Sequence, residues 1–280
     1  MSTWSTTRFE IDLARPRVMG IVNATPDSFS DGGRYRPEAH CDQLVAEGAD
    51  ILDIGGESTR PGAQPPPLHK ELARVLPVVR HAVTLGLPVS VDTSRPEVMQ
   101  AALDLGADIV NDVRALTLPG ALDVVAGHGR CGVCLMHMQG QPATMQLDPH
   151  YTDVVAEVRD FLATRVQALV AQGVTRNRIA LDPGYGFGKT LDHHLTLFAH
   201  QQALLTLGQP LLVGWSRKGM LGQLTGRPPG QRLVASVAAA LAAVQRGARI
   251  VRVHDVAETV DALTIWAAAG LGNPTGEDNR

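Results

Sequence analysis

Two cationic side chains lie close together in the segment RIVRVHD, residues 249–255. Its β-branched residues and the Gly before them are typical of a β-strand. Side chains two positions apart on a strand point to the same face, so Arg252 and His254 are expected to lie side by side. Because burying an unpaired cation is costly, we expect this pair to bind an anion.

Polar side chains also follow seven other apolar segments of strand length. The eight predicted strands are RVMGIVNA, DILDIGG, PVSVDTS, DIVNDV, GVCLMHM, RIALDPG, PLLVGWS and RIVRVHD. The polar residues near their carboxyl ends are Asn23, Asp53, Asp92, Thr93, Asn111, Asp112, His137, Asp182, Ser216, Arg217, Lys218, Arg252 and His254. Helix capping is the alternative role for Ser94, Asp112 and Asp255. For most of the others, a shared site is the better interpretation.

The eight strands alternate with segments of helical periodicity, such as EVMQAALDLGA and RLVASVAAALAAVQRGA. Such segments often stop at Gly, the usual end of a helix. Eight successive strand–helix units predict an α/β protein with the closed (β/α)8 TIM barrel fold, and a doubly wound sheet is the alternative. We expect a single domain over residues 1–280, with short polar extensions at both ends. The functional residues of such a barrel lie at the carboxyl ends of its strands.

The composition narrows the class of protein. The 280 residues carry a formal net charge of -3 with mixed signs, which does not favour a nucleic-acid partner. No apolar run reaches the roughly 18 residues of a membrane helix, and the N-terminus lacks the apolar core of a signal peptide. The odd count of 3 Cys favours free thiols, and Cys131 and Cys134 of CGVC are predicted to be structural. We therefore expect a cytoplasmic protein without nucleic-acid or membrane partners.

The polar residues at the strand ends divide into two chemical groups. The first suits a phosphate and is formed by Asn23, Arg252 and His254. Within it, the amide oxygen of Asn23 also suits a hard cation such as Mg²⁺. The second suits the edge of a ring rich in N–H donors and is formed by Asp92, Asn111, Asp182 and Lys218. Together the two groups indicate a heterocycle that carries a phosphate group.

Two loops after strands are longer than the usual two to six residues. They are TPDSFSDGGRYRPE after the first strand and GGESTRPGAQPPP after the second. Long loops at this end of a barrel tend to be lids or binding loops, and Phe29 is expected to contact substrate. The segment PGYGFGKT is not a phosphate-binding P-loop, because Pro183 stands where the first Gly is required. Its Gly residues are expected to let the backbone approach a flat ligand, and His193 and His194 beyond it are predicted on a helix surface.

Eight motifs occur in order over nearly the whole chain. They are GIVNATPDSFSDGG, ADILDIGGESTRPGA, VDTS, IVNDV, CLMHMQGQPATMQ, LDPGYGFGKT, GWSRKGMLG and RVHD. In this order they resemble the motifs of the dihydropteroate synthase family, and the first two are long and specific. The resemblance implies a (β/α)8 barrel, usually a homodimer, that acts in folate biosynthesis. The family's reaction joins 4-aminobenzoate to 6-hydroxymethyl-7,8-dihydropterin diphosphate with Mg²⁺, and gives 7,8-dihydropteroate and pyrophosphate.

The resemblance also implies a role for each matching position. Catalysis would rest on Asp92, Asp182, Lys218, Arg252 and His254. The pterin would be bound by Asp92, Asn111, Asp182 and Lys218. The diphosphate would meet Asn23, Arg252 and His254, with Asn23 also next to the Mg²⁺ ion. The aminobenzoate pocket and its loops would use Phe29, Asp31, Thr59, Arg60, Pro61, Phe187, Ser216, Arg217 and Gly219.

One position departs from the family pattern. After SRK many members carry a Ser whose hydroxyl helps to hold the aminobenzoate carboxylate, whereas this chain has Gly219. Binding of aminobenzoate, and of sulfonamides that mimic it, would then rely on backbone N–H groups at the start of the next helix. Two alternatives stay open. One is a pterin-binding domain of a corrinoid methyltransferase, which has less use for the two long loops; the other is a paralogue that binds pterin without turnover.

Overall fold

The computed structural model describes residues 3–25, 36–58 and 62–271 of the chain. Within these residues the strands are β1 (Thr3–Ser5), β2 (Glu10–Asp12), β3 (Arg17–Asn23), β4 (Ile51–Gly55), β5 (Val89–Asp92), β6 (Ile109–Asp112), β7 (Gly132–Met136), β8 (Ile179–Asp182), β9 (Leu211–Val213) and β10 (Ala248–Val253). The α-helices are α1 (Pro37–Ala46), α2 (Leu68–Val83), α3 (Pro96–Asp104), α4 (Ala121–His128), α5 (Val154–Ala171), α6 (Leu191–Ala199), α7 (Gly219–Thr225), α8 (Leu233–Gln245) and α9 (Val256–Ala268). Short 3-10 helices cover Arg176–Arg178, Gln201–Leu207 and Pro229–Gln231.

Strands β3 to β10 form a closed parallel barrel in chain order, in which β10 pairs with β3. At least one helix follows each strand, and β9 is followed by both α7 and α8. The predicted (β/α)8 barrel is therefore confirmed. The doubly wound alternative is wrong, because such a sheet has two free edges whereas this one closes on itself.

The inward side chains of the barrel change from apolar to polar along the strands. Strand side chains alternate, so residues two apart share the inner face. The lower inward positions form one buried apolar cluster that includes Met19, Ile51, Ile109, Ala180, Leu212 and Ile250. Two positions further along four of these strands lie Asp53, Asn111, Asp182 and Arg252. The barrel interior is thus an apolar floor with a layer of polar and charged groups above it.

An N-terminal hairpin closes the lower end of the barrel, a feature that the sequence analysis did not predict. Strands β1 and β2 pair antiparallel, and Trp4 is fully buried in the same cluster as the apolar floor. The Trp4 indole N–H donates to the carbonyl of Arg178 at 2.9 Å. Strands of three residues are too short to show an alternating pattern, which is why the sequence does not reveal them.

Helix capping was the alternative role for Ser94, Asp112 and Asp255, and it is wrong for Ser94 and Asp112. The Ser94 hydroxyl donates to the Asp112 carboxylate, which also accepts from the backbone N–H groups of Arg114 and Leu116. Asp255 does stand at the N-terminal end of α9, but its side chain makes no capping hydrogen bond there. These polar groups stabilise the loops around the site rather than the helix ends.

The three cysteines are buried free thiols. Cys131 packs in the core between strands and helices, whereas Cys134 faces the barrel interior. The structural role predicted for the CGVC pair is confirmed. Among the described residues, no helix combines the length and apolar character needed to cross a bilayer.

Candidate active site at the carboxyl ends of the strands

The Arg252 guanidinium lies between two carboxylates at the upper end of the barrel. Its Nε donates to Asp53 Oδ2 at 2.6 Å, and its Nη2 donates to Asp92 Oδ2 at 2.7 Å. Asn111 Nδ2 also donates to Asp53 Oδ2, at 3.2 Å. The two predicted chemical groups are therefore in direct contact: barrel closure brings β10 close to β4 and β5, and the part-buried cation pairs with their carboxylates.

Burial in this layer shifts the acid–base properties of the predicted pterin residues. It raises the pKa of Asp92 to about 7, with Arg252 opposing the rise and Asp53 adding to it. It also raises the pKa of Asp182, which Lys218 opposes. Burial lowers the pKa of Lys218 to about 8, and Asp182 opposes that change. The site thus holds one acid, Asp92, and one base, Lys218, with pKa values near neutral pH.

The loop after β8 forms one wall of the site. The Lys218 ammonium donates to the carbonyl of Tyr185 and lies 4.8 Å from the centre of the Phe187 ring. Gly186, at φ +88, is so close to Lys218 that an added Cβ would lie 2.8 Å from its Cδ. Asp182 Oδ1 accepts from the backbone N–H of Gly184 at 2.7 Å. The glycines allow the backbone to approach the Lys218 side chain closely, and Phe187 lies beside Lys218. The approach of this backbone to a flat ligand stays a prediction.

The turn after β9 lies against the end of β10. Ser216 Oγ is 3.0 Å from His254 Nδ1 and accepts from the His254 backbone N–H at 3.1 Å. Arg217 adopts a left-handed backbone conformation at φ 59, and its half-exposed guanidinium pairs with Asp255. Gly219 is the first residue of α7, and an added Cβ there would meet no atom within 4 Å. Ser216 therefore orients His254, and Gly219 leaves open space above the turn.

Asn23 ends β3 and is half-buried at the rim of the site. Among the residues that the structure describes, no group of three or more His, Cys, Asp or Glu side chains is arranged to hold a metal ion. The donor set fits an ion held mainly by substrate phosphate oxygens and completed by one amide oxygen, as Mg²⁺ often is.

Several predicted residues lie outside the described ranges. These residues belong to the two long loops and are Phe29, Asp31, Thr59, Arg60 and Pro61. The assignments of these residues to the aminobenzoate pocket stay predictions.

Lys189, from the motif set aside as a false P-loop, is a buried residue that the sequence analysis missed. Its ammonium donates to the carbonyls of Gly184 and Phe187, both at 3.1 Å, and to His137 Nδ1 at 3.0 Å. Burial lowers the pKa of Lys189 to about 7 and that of His137 to about 3, so His137 is the neutral acceptor. Lys189 therefore holds the loop that carries Phe187.

The prediction that His194 lies on a helix surface is wrong, because this residue is only 3% exposed. Its Nε2 accepts from the backbone N–H of Gly186 at 3.3 Å, and its ring packs near Tyr185 and Trp215. The sequence carried one signal for such contacts: a loop with three alternating glycines needs side chains from elsewhere to support it.

Comparisons with known proteins agree with this site. The family model described as "Pterin binding enzyme" matches residues 19–254. The dihydropteroate synthase of Neisseria meningitidis serogroup C is 53% identical over 96% of this chain and 98% of its own length. The structure of Xanthomonas albilineans dihydropteroate synthase with 4-aminobenzoic acid has a TM-score of 0.88 and 54% identity, over 93% of this chain and 95% of that one. The Burkholderia cenocepacia enzyme complexed with 7,8-dihydropteroate has a TM-score of 0.88 and 51% identity, over 96% of each chain.

The match over most of the barrel shows that the chain is a pterin-binding enzyme of the (β/α)8 class. The sequence also contains the motifs of the two long loops and of the SRK turn. Within this class, the chain belongs to the dihydropteroate synthase family, as its motifs implied.

We expect the turnover of the family's pterin substrate to have a bell-shaped pH dependence. The kcat/KM should fall below about pH 7, because Asp92 gains a proton and loses its charge. It should fall again above about pH 8, because Lys218 loses its proton and its positive charge.

Steady-state assays of the purified protein, in buffers of constant ionic strength, measure this profile. The matched variant is Lys218→Arg, whose guanidinium stays charged, so its residual activity should lack the alkaline limb. A wild-type profile that stays flat from about pH 6 to about pH 9 would contradict both assignments.

Proposed function

We propose that this site joins 6-hydroxymethyl-7,8-dihydropterin diphosphate to 4-aminobenzoate, giving 7,8-dihydropteroate and pyrophosphate. The observation that carries the proposal is the position of Arg252, bound to Asp92 in the layer that also holds Asp182 and Lys218. A cation for the diphosphate and carboxylates for the pterin are thus neighbours. The complexes of the Xanthomonas and Burkholderia relatives with 4-aminobenzoic acid and 7,8-dihydropteroate support the same substrates.

The pterin is bound by complementary polar groups above the apolar floor. Asp182 and Asp92 accept hydrogen bonds from ring N–H and amino groups, and Asn111 adds an amide at the same edge. Lys218 donates to the ring carbonyl. Phe187, placed beside Lys218 by the loop after β8, gives the aminobenzoate an aromatic wall.

The reaction breaks the bond between the pterin methylene carbon and a diphosphate oxygen. The electron pair leaves with pyrophosphate, and positive charge develops on the methylene and the conjugated ring. The carboxylates of Asp92 and Asp182 stabilise this cation, while Arg252 and His254 stabilise the leaving diphosphate. The amine nitrogen of 4-aminobenzoate then bonds to the methylene carbon and releases a proton, so no covalent bond to the protein is needed.

Asn23 is the residue that would hold Mg²⁺, together with oxygens of the diphosphate. When bound, the ion supplies positive charge that offsets the charge of the leaving group. Arg252 and His254 share this role from the end of β10, the strand that pairs with the strand of Asn23. Their orientation is set in advance by Asp53 and Ser216 respectively.

The first test is the release of pyrophosphate by the purified protein with the pterin diphosphate and Mg²⁺. Release should depend on 4-aminobenzoate, yield dihydropteroate and stop when EDTA removes the metal. Tight pterin binding without pyrophosphate release would favour the inactive paralogue. Methyl transfer from a pterin donor would favour the corrinoid alternative.

Gly219→Ser tests how this chain binds aminobenzoate. The open space at this position accepts the side chain, and the added hydroxyl should donate to the substrate carboxylate. One further hydrogen bond to a charged group contributes about 1.5 kcal/mol, so the KM for 4-aminobenzoate should fall about tenfold. The matched control is Gly219→Ala, which adds the Cβ without the hydroxyl. Equal KM values for the two variants would show that the carboxylate is bound elsewhere.

We also propose that the protein is a cytoplasmic homodimer. Helix α8 packs Ala239, Ala240 and Ala243 towards the barrel. On its outer side Val234 is 79% exposed, and on the neighbouring α9 Ile265 is 70% exposed. A subunit interface on these two neighbouring helices would cover both exposed apolar side chains. The three free thiols are typical of a reducing compartment.

Ile265→Asp tests the dimer interface. A buried unpaired carboxylate at the interface should shift the protein from dimer to monomer in sedimentation velocity, because burying such a charge is costly. Val170→Asp is the control, since it alters an exposed apolar residue on α5. A wild-type protein that sediments as a monomer at all concentrations would contradict the proposal.

A further inference from the structure

Asp53 occupies the centre of the polar layer without reaching its surface. Its side chain is 0% exposed, whereas those of Arg252 and Asp92 are 22% and 12% exposed. Its Oδ2 accepts from both Arg252 Nε at 2.6 Å and Asn111 Nδ2 at 3.2 Å. Asp53 is therefore bonded to one residue of the diphosphate group and one of the pterin group, but is itself covered.

The two carboxylates together determine how the Arg252 guanidinium is oriented. A guanidinium is planar and carries five N–H donors in a rigid fork. Asp53 binds the Nε edge and Asp92 binds Nη2, so the plane of the fork is set from two sides. Neither of these two hydrogen bonds involves Nη1, and we expect this nitrogen to donate to the diphosphate.

We propose that Asp53 is the positioning residue of this site: its buried carboxylate holds Arg252 and Asn111 in the orientations that diphosphate and pterin require. The inference rests on the proposed function for the identity of these two ligands. Asp53 acts through its neighbours, because its own oxygens are shielded from the substrates. A catalytic group misplaced by about 1 Å lowers the rate about 100-fold, so a residue that only positions other groups has a large effect on the rate.

Asp53 also acts on Asp92 through its charge. The charged groups around Asp92 are Arg252 on β10, Asp53 and Glu57 on or after β4, Asp112 on β6, and Lys218 after β9. Asp53 is the strongest of the like charges among them, and it raises the pKa of Asp92. Removing its charge should therefore lower the pKa of Asp92, so that Asp92 stays ionised to lower pH.

The test is Asp53→Asn in the full-length protein, which keeps the shape of the side chain and removes its charge. Calorimetry should give pyrophosphate binding that is about tenfold weaker, because Arg252 is no longer held from two sides. Binding of 6-hydroxymethylpterin should lose affinity at a lower pH than in the wild type, since Asp92 has become more acidic. The kcat should fall about 10- to 100-fold, with the KM for 4-aminobenzoate unchanged.

The matched control is Asp108→Asn. Asp108 is also a buried carboxylate paired with an arginine, Arg8, but it lies at the opposite end of the barrel. The Asp108→Asn variant should lose about as much thermal stability as the Asp53→Asn variant. Its pyrophosphate affinity and the pH dependence of its pterin binding should equal those of the wild type. If Asp53→Asn does not yield folded protein, Asp53→Ser, which leaves room for water beside Arg252, is measured in the same way.

The inference is overturned if a folded Asp53 variant differs from the wild type only in stability, as the control does. Pyrophosphate and pterin binding are measured without turnover, so they test Asp53 independently of the condensation reaction. An inactive wild type that still binds both ligands, with Asp53-dependent affinities, would contradict the proposed function and support the role of Asp53.

Discussion

A guanidinium ion that is largely removed from water at the end of a barrel strand needs negative charge nearby. For Arg252 this charge comes from carboxylates on two other strands. The carboxylates of Asp53 and Asp92 neutralise the cation, and the three groups form one fixed unit. An ion pair of this kind is costly to desolvate, so it is a poor way to gain stability. Under the proposed function its value lies in orientation, because the same bonds that satisfy Arg252 fix the direction in which its remaining N–H groups point.

The barrel supplies the surroundings that this unit requires. The hairpin and the inward apolar residues seal the lower interior, so the polar layer lies on a dry floor of low polarizability. In such a medium charges interact more strongly than in water, and burial displaces the pKa values of Asp92 and Lys218 towards neutrality. A reaction that separates a cation from an anionic leaving group gains most from charges fixed in this way.

Sequence reasoning predicted the barrel, which is confirmed, and the residues of the candidate site for the same physical reason. A parallel barrel has regular strands, and polar residues at their carboxyl ends can be identified one strand at a time, as for Asn111 and Asp182. It listed Asp53 among the polar residues at the strand ends but assigned it to neither chemical group, because a carboxylate inside an apolar run does not show which residues it will contact. It also missed the support that Lys189 and His194 give to the loop after β8, because these contacts depend on how the chain folds back.

The sequence by itself determined the number and order of the barrel strands and the family, and it predicted which end of the barrel carries the chemistry. These features follow from local periodicity and from motifs, which need no knowledge of distant contacts. Only the tertiary structure decided which charges meet. The pairing of Arg252 with Asp53 joins residues 199 positions apart, and it exists because the last strand closes against the first and brings their neighbours within hydrogen-bonding distance.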